Sequence, residues 1–179
     1  KKGGKMVEYK MSFAPMEGIT GRIFRKIFDK YFKGVEDYYT PFITPKEKRG
    51  LDKKDIKELS PENNEGMTII PQILSNSAEA FNLAAEKLMG LGYKEVNLNL
   101  GCPSGTVVNK GRGSGALKDL ESLEKLLTLI YSKSANTGLK ISVKTRIGYE
   151  KAEEFEKILS IYKKFPIEKL IIHPRTRME

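Results

Sequence analysis

The strongest constraint on this chain is an alternation. Six short β-rich runs are separated by segments in which apolar residues recur at helical spacing. The runs are residues 12–16, 37–44, 68–74, 95–100, 140–145 and 169–173. Between them, Ile23, Phe24, Ile27, Phe28 and Phe32 define a helix with Thr20 as its expected cap. Phe81, Ala84, Ala85, Leu88 and Met89 define a second, capped by Asn76 or Ser77. Asp119 opens a third that carries Leu120, Leu123, Leu126, Leu127 and Ile130, and Gly138 suits its C-terminal end. Phe155, Ile158, Leu159 and Tyr162 mark a fourth. These stripes are expected to be core. Residues 46–65 are polar and charged, and are expected to form a surface excursion with one helical turn after Ser60 and Pro61.

Such alternation implies parallel strands covered by helices. Two architectures satisfy it, a doubly wound sheet and a β/α barrel. Polar and special residues sit at the C-terminal ends of the runs: Pro15 and Met16, Thr40 and Pro41, Gln72, Asn99 and Cys102, Lys144 and Arg146, His173 and Arg175. A barrel assembles its site from several strand ends. A doubly wound sheet gathers it near one switch point, and no Gly-x-Gly-x-x-Gly follows the first run. The expected fold is α/β, of the (β/α)8 TIM-barrel type. A full barrel needs eight strands and about 250 residues. About six β/α units in 179 residues make an incomplete one, so the chain reads as a fragment of a longer enzyme. A complete small α/β domain is the alternative.

Composition narrows the classes. No apolar run reaches the roughly 18 to 20 residues that span a bilayer, so no membrane association is expected. The single cysteine cannot form an internal disulfide, which suits a reducing, cytoplasmic setting. One cysteine and one histidine leave no zinc site built from those ligands, and no metal is expected. The net charge of +9 fits a polyanionic partner such as nucleic acid; a lysine-rich solvated surface explains it equally well.

Chemistry concentrates in Asn97-Leu-Asn-Leu-Gly-Cys-Pro-Ser-Gly-Thr-Val-Val-Asn-Lys-Gly-Arg-Gly-Ser-Gly-Ala-Leu117. It begins as a strand, and Asn99 brings amide donors and an acceptor to the strand end. Gly101 allows a tight turn, Cys102 follows, and Pro103 stiffens the exit. The glycines at 105, 111, 113 and 115 suggest a long mobile connection, as a gated site requires. A free cysteine is also commonly a buried apolar residue. The glycine-rich run lacks the Gly-Lys-Ser/Thr ending of a phosphate loop.

Six segments in order give the chain a family resemblance. They are Phe13-Ala-Pro-Met-Glu-Gly18, Pro71-Gln72, Asn97-Leu-Asn-Leu-Gly-Cys-Pro103, Lys110-Gly-Arg-Gly-Ser-Gly-Ala-Leu117, Val143-Lys-Thr-Arg146 and His173-Pro-Arg-Thr176. Together they span nearly the whole sequence and resemble the tRNA-dihydrouridine synthases. The resemblance implies an FMN-binding β/α barrel followed by a small helical domain that helps bind tRNA. It implies reduction of the uridine 5,6-double bond with NADPH or NADH: an oxidoreductase acting on a CH–CH bond, a tRNA-processing flavoprotein.

Site roles follow from the same resemblance. Hydride would reach uracil C6 from the flavin, and Cys102 would give C5 its proton. A thiol with a reference pKa of about 8.5 is mostly protonated at neutral pH yet able to release its proton. Ala14, Pro15 and Met16 would lie against the ring, with Gln72 at its polar edge. Lys144 would place a cation beside it, and His173 a hydrogen-bond donor. Asn99, Arg146, Arg175 and Arg177 are the expected substrate contacts. The family's FMN-phosphate segments and the helical domain would lie beyond Glu179, so residues 1–179 would be a truncated barrel domain that holds FMN weakly or not at all and need not be active alone. A flavin-barrel oxidoreductase acting on a free pyrimidine, and an inactive RNA-binding fragment, remain the alternatives.

Overall fold

A computed structural model describes residues 9–179. Its strands are β1 (Met11–Phe13), β2 (Val35–Tyr39), β3 (Ile69–Ile70), β4 (Gln72–Ile73), β5 (Glu95–Leu100), β6 (Lys140–Gly148) and β7 (Leu170–Thr176). Its helices are α1 (Arg22–Tyr31), α2 (Lys53–Leu59), α3 (Ala78–Gly90), α4 (Gly105–Val108), α5 (Leu120–Ser134) and α6 (Phe155–Tyr162). Every strand pairing is parallel, in the orders β1-β2-β3 and β4-β5-β6-β7.

The third expected strand is observed as two pieces, because Pro71 lies between Ile70 and Gln72 and has no N–H to give a ladder. The layer nevertheless continues across the break. The Ile43 N–H donates to the Gln72 carbonyl and the Leu74 N–H to the Ile43 carbonyl, each at 2.8 Å. Each strand therefore neighbours the next one in sequence, with no reversal of order. That is barrel connectivity, not the doubly wound kind. The layer also curls: Lys169, just before β7, reaches Asp37 of β2 at 2.8 Å and the Tyr39 hydroxyl at 3.3 Å. The two strands are not neighbours, and a flat sheet would hold them several 4.8 Å spacings apart. The fold is an incomplete (β/α) barrel.

Period-two alternation separates the two faces of this layer. Ile73, Val96, Leu98, Leu100, Ile141 and Val143 face outward and are at most 2% exposed. They pack with Phe81, Ala84 and Leu88 of α3, Leu123, Leu127 and Ile130 of α5, and Ile158 and Tyr162 of α6. Each such Leu, Ile or Phe contributes on the order of 1.5–3 kcal/mol. The opposite face carries Gln72, Asn97, Asn99, Ser142 and Lys144. Ser77 caps α3 by accepting from the Ala80 N–H, and Asp119 caps α5 by accepting from the Ser122 N–H, both as expected. No helix among the described residues is long and apolar enough to cross a membrane.

The first helix corrects the sequence expectation. Ile23, Phe24, Ile27 and Phe32 are exposed by 39–62%, not core. Only Phe28 packs well, 4.7 Å from the Phe13 ring, because β1 is three residues long and, among the described residues, pairs with β2 alone. Amphipathic spacing shows which residues favour burial, not whether a partner covers them. The buried residue of α1 is Arg25, which donates to the Thr20 carbonyl, Glu58 Oε1 and Asn64 Oδ1. Thr20 does not cap α1. Its hydroxyl instead bonds both the N–H and the carbonyl of Met16 and closes the turn after β1. The 46–65 excursion contains a full helix, α2, which the charge run concealed; Asp52 and Asp55 form its capping box.

Candidate active site

The C-terminal strand ends surround a cavity of about 230 Å³. It is lined by Pro15, Met16 and Glu17 after β1, Pro41 and Phe42 after β2, Gln72 of β4, Lys144 of β6, and Asn99, Gly101, Cys102 and Pro103 at the end of β5. Two larger surface hollows lie elsewhere, one along α5 and one beneath residues 61–69.

Strand register builds the cavity floor. Gln72, Asn97 and Ser142 pair in one row across β4, β5 and β6, and Asn99 and Lys144 pair in a row nearer the mouth. Gln72 Nε2 donates to Asn97 Oδ1 at 2.7 Å, and Asn99 Nδ2 donates to Gln72 Oε1 at 2.6 Å. Asn99 Oδ1 accepts from the backbone N–H groups of Gly101 at 3.0 Å and Cys102 at 2.9 Å. The turn bearing the cysteine is thus fixed by the asparagine two positions before Gly101. Cys102 is half-buried with a free thiol.

The glycine-rich stretch after Cys102 is compact, contrary to the long mobile connection expected. It forms α4 and a 3-10 helix, Gly113–Lys118, in which Gly113, Ser114 and Gly115 are buried. Positive φ at Gly111 and Gly113 turns the chain back onto Cys102. A Cβ on Gly113 would lie 2.7 Å from the Cys102 carbonyl oxygen. Asn76, which caps nothing, latches this stretch: it donates to the Lys110 carbonyl and accepts from Arg112 Nε.

Positive charge collects at the mouth. Lys144 is half-buried and makes no ion pair among the described residues. Burial holds its ammonium below the usual lysine range and nearby Arg146 adds to this, while the Cys102 sulfur works the other way. Burial likewise lowers the His173 pKa, helped by Arg146, Lys144 and Arg175. A half-buried ammonium without a carboxylate, among other cations, suits a ligand that carries or develops negative charge.

The expected residues divide by position. Pro15, Met16, Gln72, Asn99, Cys102 and Lys144 line the cavity together. Ala14, exposed, begins the turn beside it. His173 stands opposite Arg146 in the β6–β7 register. Arg146 is buried, with Nε donating to the Gly101 carbonyl at 2.8 Å and Nη1 to the Thr176 carbonyl at 2.7 Å, so it braces the cysteine turn from beneath. Arg175 is exposed; Arg177 lies over the Tyr149 ring, away from the cavity lining. Sequence reasoning missed Asn97, Ser142, Ser114 and Asn76. Asn97 and Ser142 share the inward-facing parity of Asn99 and Lys144, a signal that alternation alone offered.

This is a β/α-barrel protein with a cysteine, a lysine and two amides meeting at its mouth. The chain belongs to the dihydrouridine synthase family, whose model matches residues 12–179. It is 34% identical over 174 residues to a probable tRNA-dihydrouridine synthase of Helicobacter pylori. It is 32% identical over 169 residues to probable tRNA-dihydrouridine synthase 2 of Bacillus subtilis and 29% over 175 residues to a probable tRNA-dihydrouridine synthase of Staphylococcus epidermidis. Each match covers 93% of this chain and 49–50% of the relative, so the chain spans about half the length of the curated relatives it matches.

Proposed function

We propose that the full-length protein is a tRNA-dihydrouridine synthase that adds hydrogen across the 5,6-double bond of uridines in tRNA. The observation that carries this is the convergence of Cys102, Lys144, Gln72 and Asn99 on one cavity at the strand ends. The family membership and the relatives' names support the same reading.

FMN is the proposed cofactor, with NADPH or NADH as reductant. The residues present suit such a ring: Pro15, Met16, Pro41 and Phe42 offer apolar surface, Gln72 and Asn99 offer amides, and Lys144 offers a cation with no ion pair among the described residues. FMN, when bound, would supply hydride chemistry at uracil C6. Cys102 Sγ–H gives its proton to C5, the S–H bonding electrons remain on sulfur, and water later returns a proton to the thiolate. Lys144 shares the cavity with Cys102 and Arg146 holds the Gly101 carbonyl next to it, so both place positive charge near the sulfur. Lys144 would also offer that ring a positive charge, and His173 would serve it as a hydrogen-bond donor. Arg146 supports the turn; Arg175 and Arg177 are the proposed contacts to tRNA. A base must leave its stack to enter such a cavity.

Residues 1–179 are proposed as the front part of the FMN barrel. The rest of the full-length protein would supply the phosphate anchor and the tRNA-binding helical domain, and the site of action would be the cytoplasm. The test gives the full-length protein FMN, NADPH and either unmodified tRNA or free uridine monophosphate. The expected result is a gain of two mass units in tRNA uridines and none in the free nucleotide. Reduction of the free nucleotide alone would overturn the proposal.

A further inference from the structure

One hydrogen-bond chain runs through the floor of the cavity, and its direction is forced from one end. The Gly101 and Cys102 backbone N–H groups can only donate, so Asn99 must turn Oδ1 toward them. Its Nδ2 is then left to donate to Gln72 Oε1. Gln72 in turn presents Nε2 to Asn97 Oδ1. Asn97 must offer Nδ2 to Ser142 Oγ at 3.0 Å, and the Ser142 hydroxyl donates to the Val96 carbonyl at 3.4 Å. Side-chain amides are often ambiguous in direction. Here no amide can flip without opposing two donors or two acceptors. All four side chains are at most 6% exposed, so water is a poor substitute for any partner.

We propose that Asn97 and Ser142, neither of which lines the cavity, are positioning residues that fix which atoms Gln72 and Asn99 present to the ligand. Asn99 Oδ1 already accepts two bonds, so Asn99 has only an N–H left to offer. Gln72 keeps one N–H and one lone pair. The floor is therefore rich in donors, and the ligand edge it selects is an acceptor edge: the carbonyl or imine side of a planar heterocycle. This rests on the cavity being the synthase site proposed above. It adds that the selectivity of that site is set one layer below the atoms that touch the ligand.

The test compares Asn97→Leu, Asn97→Asp and Ser142→Ala in the full-length protein. Aspartate or its acid keeps the acceptor for Gln72 and can still bond Ser142; leucine keeps bulk and loses both bonds. The first readout is solvent exchange of the Gln72 and Asn99 side-chain N–H protons by NMR. Exchange should rise about tenfold in Asn97→Leu and stay within about twofold of wild type in Asn97→Asp. The second is dihydrouridine formation: kcat should fall about tenfold in Asn97→Leu with KM for tRNA nearly unchanged, and Asn97→Asp should restore it. Ser142→Ala should shift both readouts the same way by a smaller amount, and serves if Asn97→Leu fails to fold. Unchanged exchange in both Asn97→Leu and Ser142→Ala would overturn the proposal, as would Asn97→Asp losing as much as Asn97→Leu. Exchange is read without turnover. If the synthase reading fails, the exchange pattern stands while the kcat effect disappears; if the relay fails, the exchange pattern itself is absent.

Discussion

Ser114 binds Cys102 twice: its backbone N–H at 3.0 Å and its hydroxyl at 2.9 Å both donate to the Cys102 carbonyl. The fold-back that permits this needs Gly113, at φ +55° with no room for a side chain. Gly113→Ala therefore combines backbone strain with a clash. It should cost on the order of 2–3 kcal/mol in urea unfolding and displace Cys102. Gly105→Ala is the control: this glycine lies in α4 with nothing within 4 Å of an added Cβ, and the change should be neutral or slightly stabilising.

Asn99→Ala removes the shared acceptor of two backbone N–H groups and the donor to Gln72. The loss should be about 2–4 kcal/mol by chemical denaturation, because buried donors are left unpaired. Asn99→Asp keeps the acceptor for the cysteine turn but loses the donor to Gln72, and should recover part of that loss.

Arg25 sits at 0% exposure in α1 and holds Thr20, Glu58 and Asn64. Through Thr20 it supports the turn that carries Met16 into the cavity. Arg25→Ala should destabilise the fold by about 3 kcal/mol or more, since truncating one partner strands the others. A thermal melt compared with Glu58→Gln, which keeps a neutral acceptor, measures the difference.

His173 is the chain's one histidine, so its ring resonance is unambiguous. Burial and the charges of Arg146, Lys144 and Arg175 hold its pKa below the ordinary 6.5. NMR titration should give a midpoint below that value, and Lys144→Met should raise it. The linkage sign follows: the unfolded chain takes the proton first. The His173 contribution to stability is therefore present above the unfolded pKa and is lost as pH falls through the folded one. His173→Gln should flatten that part of the stability profile.

If the rest of the protein supplies the phosphate anchor, residues 1–179 alone should lose FMN on gel filtration. Stoichiometric retention would contradict the proposed division of the barrel.

Much of the barrel was legible because parallel strands repeat a simple pattern. The 95–100 run, Glu-Val-Asn-Leu-Asn-Leu, encodes both faces of β5 at once. Cys102, Asn99, Gln72 and Lys144 were legible because chemistry-bearing residues at strand ends stand out against apolar neighbours. The exposed face of α1 was not, since helical spacing carries no information about what covers it. The compaction of residues 105–118 was hidden as well: glycine permits a mobile loop and a tight fold-back equally, and only the contacts at Gly113 and Gly115 decide. Arg146 looked like a substrate contact by type and position. Its two carbonyl partners come from elements far apart in sequence, Gly101 and Thr176.

The central claim is that Cys102 gives uracil C5 its proton. Dihydrouridine formation on tRNA by full-length Cys102→Ala measures it most directly, with tRNA affinity followed alongside. Turnover should fall by about 100-fold or more while tRNA affinity stays within about twofold of wild type. Turnover equal to wild type would contradict the assignment and remove Cys102 from the reaction.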